Sequence, residues 1–234
     1  MKCWRKQSME NKKEIQQIKP GMFGKVVAAD NRRAEFDFKN EQILYLGTQI
    51  DYLFLGDSIT HQWDLYAYFK QGKQLENRGI SGDSSEYLLK RFDADCIQLH
   101  PKFAIIMIGT NDIFRIEPDL WWRTPGEDME VVLADYQNNI LMMLDKCEQA
   151  GIEVILCSVL PSNVPVPFQK EARWEMTRRM NEFLKSTGKT YVDYFSRLAE
   201  ADTFLPDDLT PDGVHPNAKA YEIMAETLKE TINI

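Results

Sequence analysis

Positive charge is the scarcer sign in this 234-residue chain, with 28 Lys and Arg against 36 Asp and Glu, a net charge of −8 at pH 7. Its basic runs are no longer than the pairs Lys12 and Lys13, and Arg32 and Arg33, which read as solvated surface. Without a basic face, nucleic acid is excluded as a partner, and polyanionic substrates are disfavoured. Long apolar runs are missing too. The longest, residues 103–108, has six members, against the about 18 a membrane-spanning helix needs. Cysteine is sparse. Cys3, Cys96, Cys147 and Cys157 form neither a C-x-x-C pair nor a zinc-like spacing, which excludes a disulfide scaffold or a zinc module. Three of them lie among apolar residues and read as buried free thiols, predicting a reducing, cytoplasmic location. The basic stretch 1–6 is not followed by an apolar segment, so no export by signal peptide is expected.

What is present fits one large α/β domain. Hydrophobic residues make up 44% and charged residues 27%, near the globular average, and a chain of this length can bury a full core. Residues 1–49 read as an N-terminal extension packing on or trailing from a main domain at 50–234. Its first 20 residues are polar and predict a loose or helical arm, while Phe36, Phe38, Ile43, Leu44 and Leu46 suggest short strands. From residue 50 the pattern turns regular. Short continuous apolar runs at 52–55, 103–108, 152–159 and 190–192, with a weaker one at 74–77, read as strands buried on both faces, as in a parallel sheet. Between them lie helical repeats, such as Val132, Leu133, Tyr136, Ile140, Met143, Leu144 and Cys147, closed by Gly151. Asp83-Ser84-Ser85-Glu86 resembles a helix N-cap with its capping-box Glu. The alternation predicts a doubly wound α/β sheet, whose ligand sites lie at the C-terminal ends of its strands.

The polar signals sit at those ends. Gly56-Asp57-Ser58-Ile59-Thr60 follows the first strong strand, so Ser58 is either a nucleophile near backbone donors or a helix N-cap. It is not a G-x-S-x-G elbow, because Thr60 occupies the second glycine position. Gly109-Thr110-Asn111-Asp112 follows the second, where the Asn111 amide can donate to an oxyanion or simply shape a turn. Asn77-Arg78-Gly79-Ile80-Ser81-Gly82 is a third turn, in which Gly79 brings a backbone N–H close to a substrate or permits the bend. Asp212-Gly213-Val214-His215-Pro216 precedes the last helix. There His215 suits a general base and Asp212 its orienting carboxylate. The other histidines suit that role less: His61 reads as a rim residue three positions past Ser58, and His100 as a helix end. Singly these blocks are ordinary turns. As an ordered set their chance odds are on the order of 10⁻⁴, which favours the catalytic reading.

The set resembles the SGNH, or GDSL-type, hydrolase superfamily over about residues 50–232, in its bacterial acylhydrolase branch. That branch includes platelet-activating-factor acetylhydrolase-like and carbohydrate acetylesterase-like members. The resemblance implies a flavodoxin-like three-layer α/β/α sandwich with a five-stranded parallel sheet. It implies Ser58 as nucleophile, His215 as base and Asp212 as its orienter, with an oxyanion hole from the Ser58 and Gly79 N–H groups and the Asn111 side chain. No metal or organic cofactor is implied. The expected substrate is a small-molecule or carbohydrate ester with a short acyl group, and oligomeric state stays open.

Two departures stand out. Ile59 replaces the leucine of the family's name motif, and residues 113–128 form a long polar and aromatic stretch. There Trp121 and Trp122 either wall the site or cover a sheet edge. Asp57, His61, Trp63 and Asp83 complete the candidate substrate contacts, although Asp57 and Asp112 also suit turn-fixing acceptors, Asp83 an N-cap, and Trp63 the core. An acyltransferase and a non-catalytic glycan- or lipid-binding protein of the same fold are the rival functions.

Overall fold

The computed structural model describes residues 16–19, 27–69, 72–118, 125–164, 170–201, 204–232 and 234, with residues 27–30 by their backbone alone. Five short strands, β1 (Tyr52–Gly56), β2 (Leu75–Gly79), β3 (Phe103–Met107), β4 (Glu153–Cys157) and β5 (Thr190–Val192), form one sheet in the order β2-β1-β3-β4-β5. Every pairing is parallel, with β1 in register between β2 and β3. The helices are α1 (Val27–Leu46), α2 (Ser58–Gln62), α3 (Leu65–Tyr68), α4 (Ser85–Asp95), α5 (Thr110–Ile113), α6 (Met129–Ala150), α7 (Lys170–Ser186), α8 (Tyr194–Leu198) and α9 (Ala218–Ile232). Among the described residues no helix is long and apolar enough to cross a membrane.

Strand periodicity divides the core into two layers. Leu53, Leu55, Ala104, Ile106, Val154 and Leu156 face α4, α6 and α7, with Phe92, Tyr136, Met143 and Met180 packed over them. Tyr52, Phe54, Ile105, Met107, Ile155 and Cys157 face the other way, against Trp63, Tyr194, Tyr221, Met224 and Leu228. Both faces of the sheet are covered, which is why β1, β3 and β4 read as continuous apolar runs. The expected three-layer α/β/α sandwich is what forms. Cys96, Cys147 and Cys157 are buried free thiols.

Two expectations are corrected. The segment holding Phe36 and Ile43 is helical, as α1, not stranded. Its buried positions are Arg33, Phe36, Asn40 and Ile43, spaced three and four apart as one helix face requires. Two of the four are polar, which erases the apolar periodicity, while Phe38 and Leu46 are 69% and 72% exposed. Ile43 joins the same apolar layer as Ile50, Leu53 and Leu88. At α4, the Ser84 side chain makes no capping bond, and the capping-box pattern does not form. Asp112, at the start of α5, instead takes the Ser85 N–H (2.9 Å) and hydroxyl (2.5 Å).

Phe36 is fully buried under the guanidinium groups of Arg32 and Arg78, 4.9 and 5.0 Å from its ring centre. Phe36→Ala is therefore expected to cost about 3–5 kcal/mol in urea unfolding. A loss under about 1 kcal/mol would mean that α1 does not dock on α4 in solution.

Candidate active site

Parallel strands all leave the sheet at one end, and there the turns after β1, β2 and β3 gather. The β1 chain turns directly into α2, with Asp57 as N-cap. Its carboxylate accepts the Ile59 N–H at 2.9 Å, as short acidic caps do. This puts Ser58 at the first helical position, where its own N–H has no carbonyl four residues back to bond.

His215 arrives from a loop ahead of α9. Its Nε2 accepts the Ser58 hydroxyl at 2.8 Å, across 157 residues of sequence. Its Nδ1 lies 2.6 Å from Asp212 Oδ2. A carboxylate only accepts, so this contact places the ring proton on Nδ1 and leaves Nε2 free to take another. The D-x-x-H spacing has a local cause. Asp212 Oδ1 accepts the backbone N–H groups of Val214 (2.9 Å) and His215 (2.8 Å), closing a turn that points the ring back at Oδ2. Gly213 completes it. Its φ is +83°, a Cβ there would lie 2.4 Å from the Asn163 carbonyl oxygen, and its own carbonyl accepts the Asn163 N–H at 2.6 Å. Tyr221 of α9 donates to the Ile59 carbonyl at 2.7 Å, so the helix following His215 is tied to the helix carrying Ser58.

The Asn111 amide donates to the Asp83 carbonyl at 2.8 Å. With two N–H donors, it keeps one for a ligand. Gly79 is a correction. Its N–H is already taken by Asn77 Oδ1 at 2.9 Å. Its α-carbon is wedged against α2, where a Cβ would meet the His61 backbone nitrogen at 2.2 Å. Gly79 is thus a packing glycine of β2. Three residues on, Gly82 lies in the turn next to Asp83, and among the described residues its N–H has no acceptor. The Gly82 N–H is thus free where the Gly79 N–H is not. The sequence reading named Gly79 alone, and its bond to the Asn77 side chain is what sets it apart from Gly82.

The other candidate contacts sort by burial. Asp57 is 1% exposed and serves as the cap of α2. Trp63 is buried in an aromatic cluster, stacked on Tyr221 at 5.5 Å. The Asp83 carboxylate is paired with Arg91 at 2.7 Å. These three are structural and do not face a substrate. His61 points its Nδ1 to Ser81 Oγ at 2.9 Å and not to Ser58, leaving it at the rim. Trp121 and Trp122 lie outside the described residues. Among the described residues no group of three or more His, Cys, Asp or Glu could hold a metal ion.

Charge sharpens the arrangement. At Asp212 burial pushes upward, but the His215 N–H, its ring and the Val214 N–H outweigh it and hold the carboxyl at about 2. Asp212 therefore stays ionised beside the imidazole. Burial drives the Asp57 carboxyl up to about 7, the Ile59 N–H opposing and Asp83 and Asp112 adding repulsion. Burial likewise lifts Asp112 to about 6 despite the bonds from Ser85.

The sequence model of the family described as GDSL-like Lipase/Acylhydrolase matches residues 54–223. The chain belongs to that family. It is a carboxylic ester hydrolase. An acetylxylan esterase of Geobacillus stearothermophilus is 27% identical over 168 residues, which cover 70% of this chain and 74% of that one. An acetylxylan esterase of Xylanibacter ruminicola is 23% identical over 208 residues, covering 76% of this chain and 42% of that longer protein. A crystal structure of a GDSL-like lipase from Bacteroides thetaiotaomicron superposes with TM-score 0.67 at 27% identity, covering 86% of this chain and 96% of that one.

The raised Asp57 carboxyl has a consequence for stability. Unfolded, it ionises near the ordinary value of about 4; folded, it holds its proton to about 7. The folded state binds the extra proton in between, so stability falls as pH rises through that window. Asp57→Asn, which keeps an acceptor for Ile59, is expected to remove a slope of up to about 1.4 kcal/mol per pH unit. Urea unfolding at pH 4.5, 6 and 7.5 measures this, and an unchanged slope would place the proton elsewhere.

Proposed function

We propose that this hydrolase removes short acyl groups, acetyl foremost, from carbohydrate or other small-molecule esters through an acyl-enzyme on Ser58. One observation carries the assignment of residues: the Ser58 hydroxyl points at His215 Nε2, while Asp212 holds the opposite nitrogen. Ser58 attacks the ester carbonyl as its proton passes to Nε2. The new imidazolium is stabilised by Asp212, which remains a carboxylate. The carbonyl oxygen, now negative, is met by the Ser58 and Gly82 N–H groups and the free Asn111 donor, dipoles fixed before the reaction begins. His215 returns the proton to the departing alcohol. Water then repeats the sequence on the acyl-enzyme, releasing the acid and restoring the Ser58 hydroxyl. Each step balances with the protein's own groups and water.

The acyl and alcohol classes rest on the relatives. Two of them are named acetylxylan esterases. The half-exposed Asp212 and His215 side of the site supports an alcohol as large as a sugar.

Ser58→Ala is expected to abolish p-nitrophenyl acetate hydrolysis without loss of fold, and unchanged turnover would refute the assignment. Asn111→Ala is expected to lower kcat by roughly 10²–10³-fold. Across p-nitrophenyl esters from acetyl to decanoyl, kcat/KM is expected to be highest at acetyl. A maximum at decanoyl would instead indicate a lipase. A fluorophosphonate probe should label wild type and not Ser58→Ala, whereas a binding protein of this fold would take no label.

A further inference from the structure

Beneath the site lies a chain of buried charge that the reaction described above does not use. Arg91 of α4 is 1% exposed. Each of its three guanidinium nitrogens has its own anchor. Nε donates to Asp83 Oδ2 at 2.7 Å, Nη2 to the Gly56 carbonyl at 3.1 Å, and Nη1 to Asp95 Oδ2 at 3.1 Å. Gly56 is two residues before Ser58. Asp83 directly follows Gly82, and its carbonyl holds Asn111. One rigid planar group therefore grips both the turn bearing the nucleophile and the turn that carries Gly82 and holds Asn111.

The third anchor leads out to α1. Asp95 is fully buried, and its Oδ1 accepts from Arg33 Nη1 at 2.6 Å and Asn40 Nδ2 at 3.1 Å. Asn40 in turn accepts from Arg78 of β2 through Nε (3.2 Å) and Nη2 (2.9 Å). Removing such charges from water is costly, and apolar packing of equal volume commonly stabilises a core as well or better. An apolar side chain at position 91 would nonetheless leave Gly56 and Asp83 without a shared donor. What the charge supplies there is geometry.

We infer that Arg91 is a positioning residue for ester hydrolysis, holding the Gly82–Asp83 turn at a fixed separation from Ser58, and that α1 steadies it through Arg33, Asn40 and Asp95. The inference rests on the esterase reading of Ser58 and adds to it a helix lying outside the matched family region. Misplacing oxyanion donors by an ångström weakens the transition state far more than the ground state. Arg91→Lys keeps the charge but cannot grip all three anchors. It is expected to lower kcat for p-nitrophenyl acetate by about 10–10²-fold, with KM within about 2-fold of wild type. Arg33→Met, remote from the reacting atoms, is expected to lower kcat less, with KM again unmoved.

In a double-mutant cycle, Arg91→Lys combined with Asn111→Ala should lose less than the product of the single losses, because both act on the same oxygen. Circular dichroism at the assay temperature fixes the folded fraction. A kcat loss that merely follows that fraction, or fully additive losses in the cycle, would overturn the inference. So would wild-type kcat in folded Arg91→Lys or, should that variant not fold, in folded Arg33→Met. Ser58→Ala separates the two levels of failure. If it retains activity, the esterase assignment itself falls; if it is dead while Arg91→Lys is normal, only the role of Arg91 falls.

Discussion

Parallel pairing is the constraint on which the rest of this structure depends. Strands that all run one way must be joined by crossovers over the faces of the sheet. Both faces are then buried, and every strand exits at the same edge. With β1 central between β2 and β3, the three turns leaving that edge come together with no residue placed for the purpose. The Ser58 turn, the Gly82 turn and the Asn111 turn are neighbours by topology. His215 alone must be delivered from the far end of the chain, and the tie from Tyr221 to the helix carrying Ser58 fixes it there.

Much of this was legible from residue order, for identifiable reasons. β1, β3 and β4 were visible because double-sided burial demands unbroken apolar runs, and the observed strand bounds differ from the expected ones by at most two residues. The Asp212–His215 turn was visible because its geometry is local, one carboxylate oxygen closing a turn and the other holding the ring. Its contact with Ser58 spans 157 positions and became readable only through the ordered set of motifs. Gly79 against Gly82 was not decidable in this way. Two glycines three residues apart look alike until one N–H is seen bonded to Asn77.

Helix α1 was misread for a deeper reason. Periodicity detects helices by their apolar face, and half of the buried face here is Arg33 and Asn40. A stripe that meets a buried charge network gives no hydrophobic signal, although its spacing is that of an ordinary helix. The same blindness covers Asp83, which looked like a cap until Arg91 was seen to hold its carboxylate. Both of these misreadings fall where polar side chains were committed to the interior.

That commitment has a bearing on where this protein can be divided. A boundary drawn at residue 54, where the family match begins, would discard the partners that α1 supplies to Asp95 and Arg78. Asp95 would keep Arg91 and Arg78 would keep Glu76, but the buried Arg33–Asp95 pair and the Asn40 contacts would be lost. Breaking a buried pair on one side commonly costs about 3–5 kcal/mol, a large share of the roughly 5–15 kcal/mol that keeps a domain folded. The family match thus begins inside a packed unit to which α1 contributes, and a shortened version that begins before α1 is expected to hold its fold better than one that begins after it.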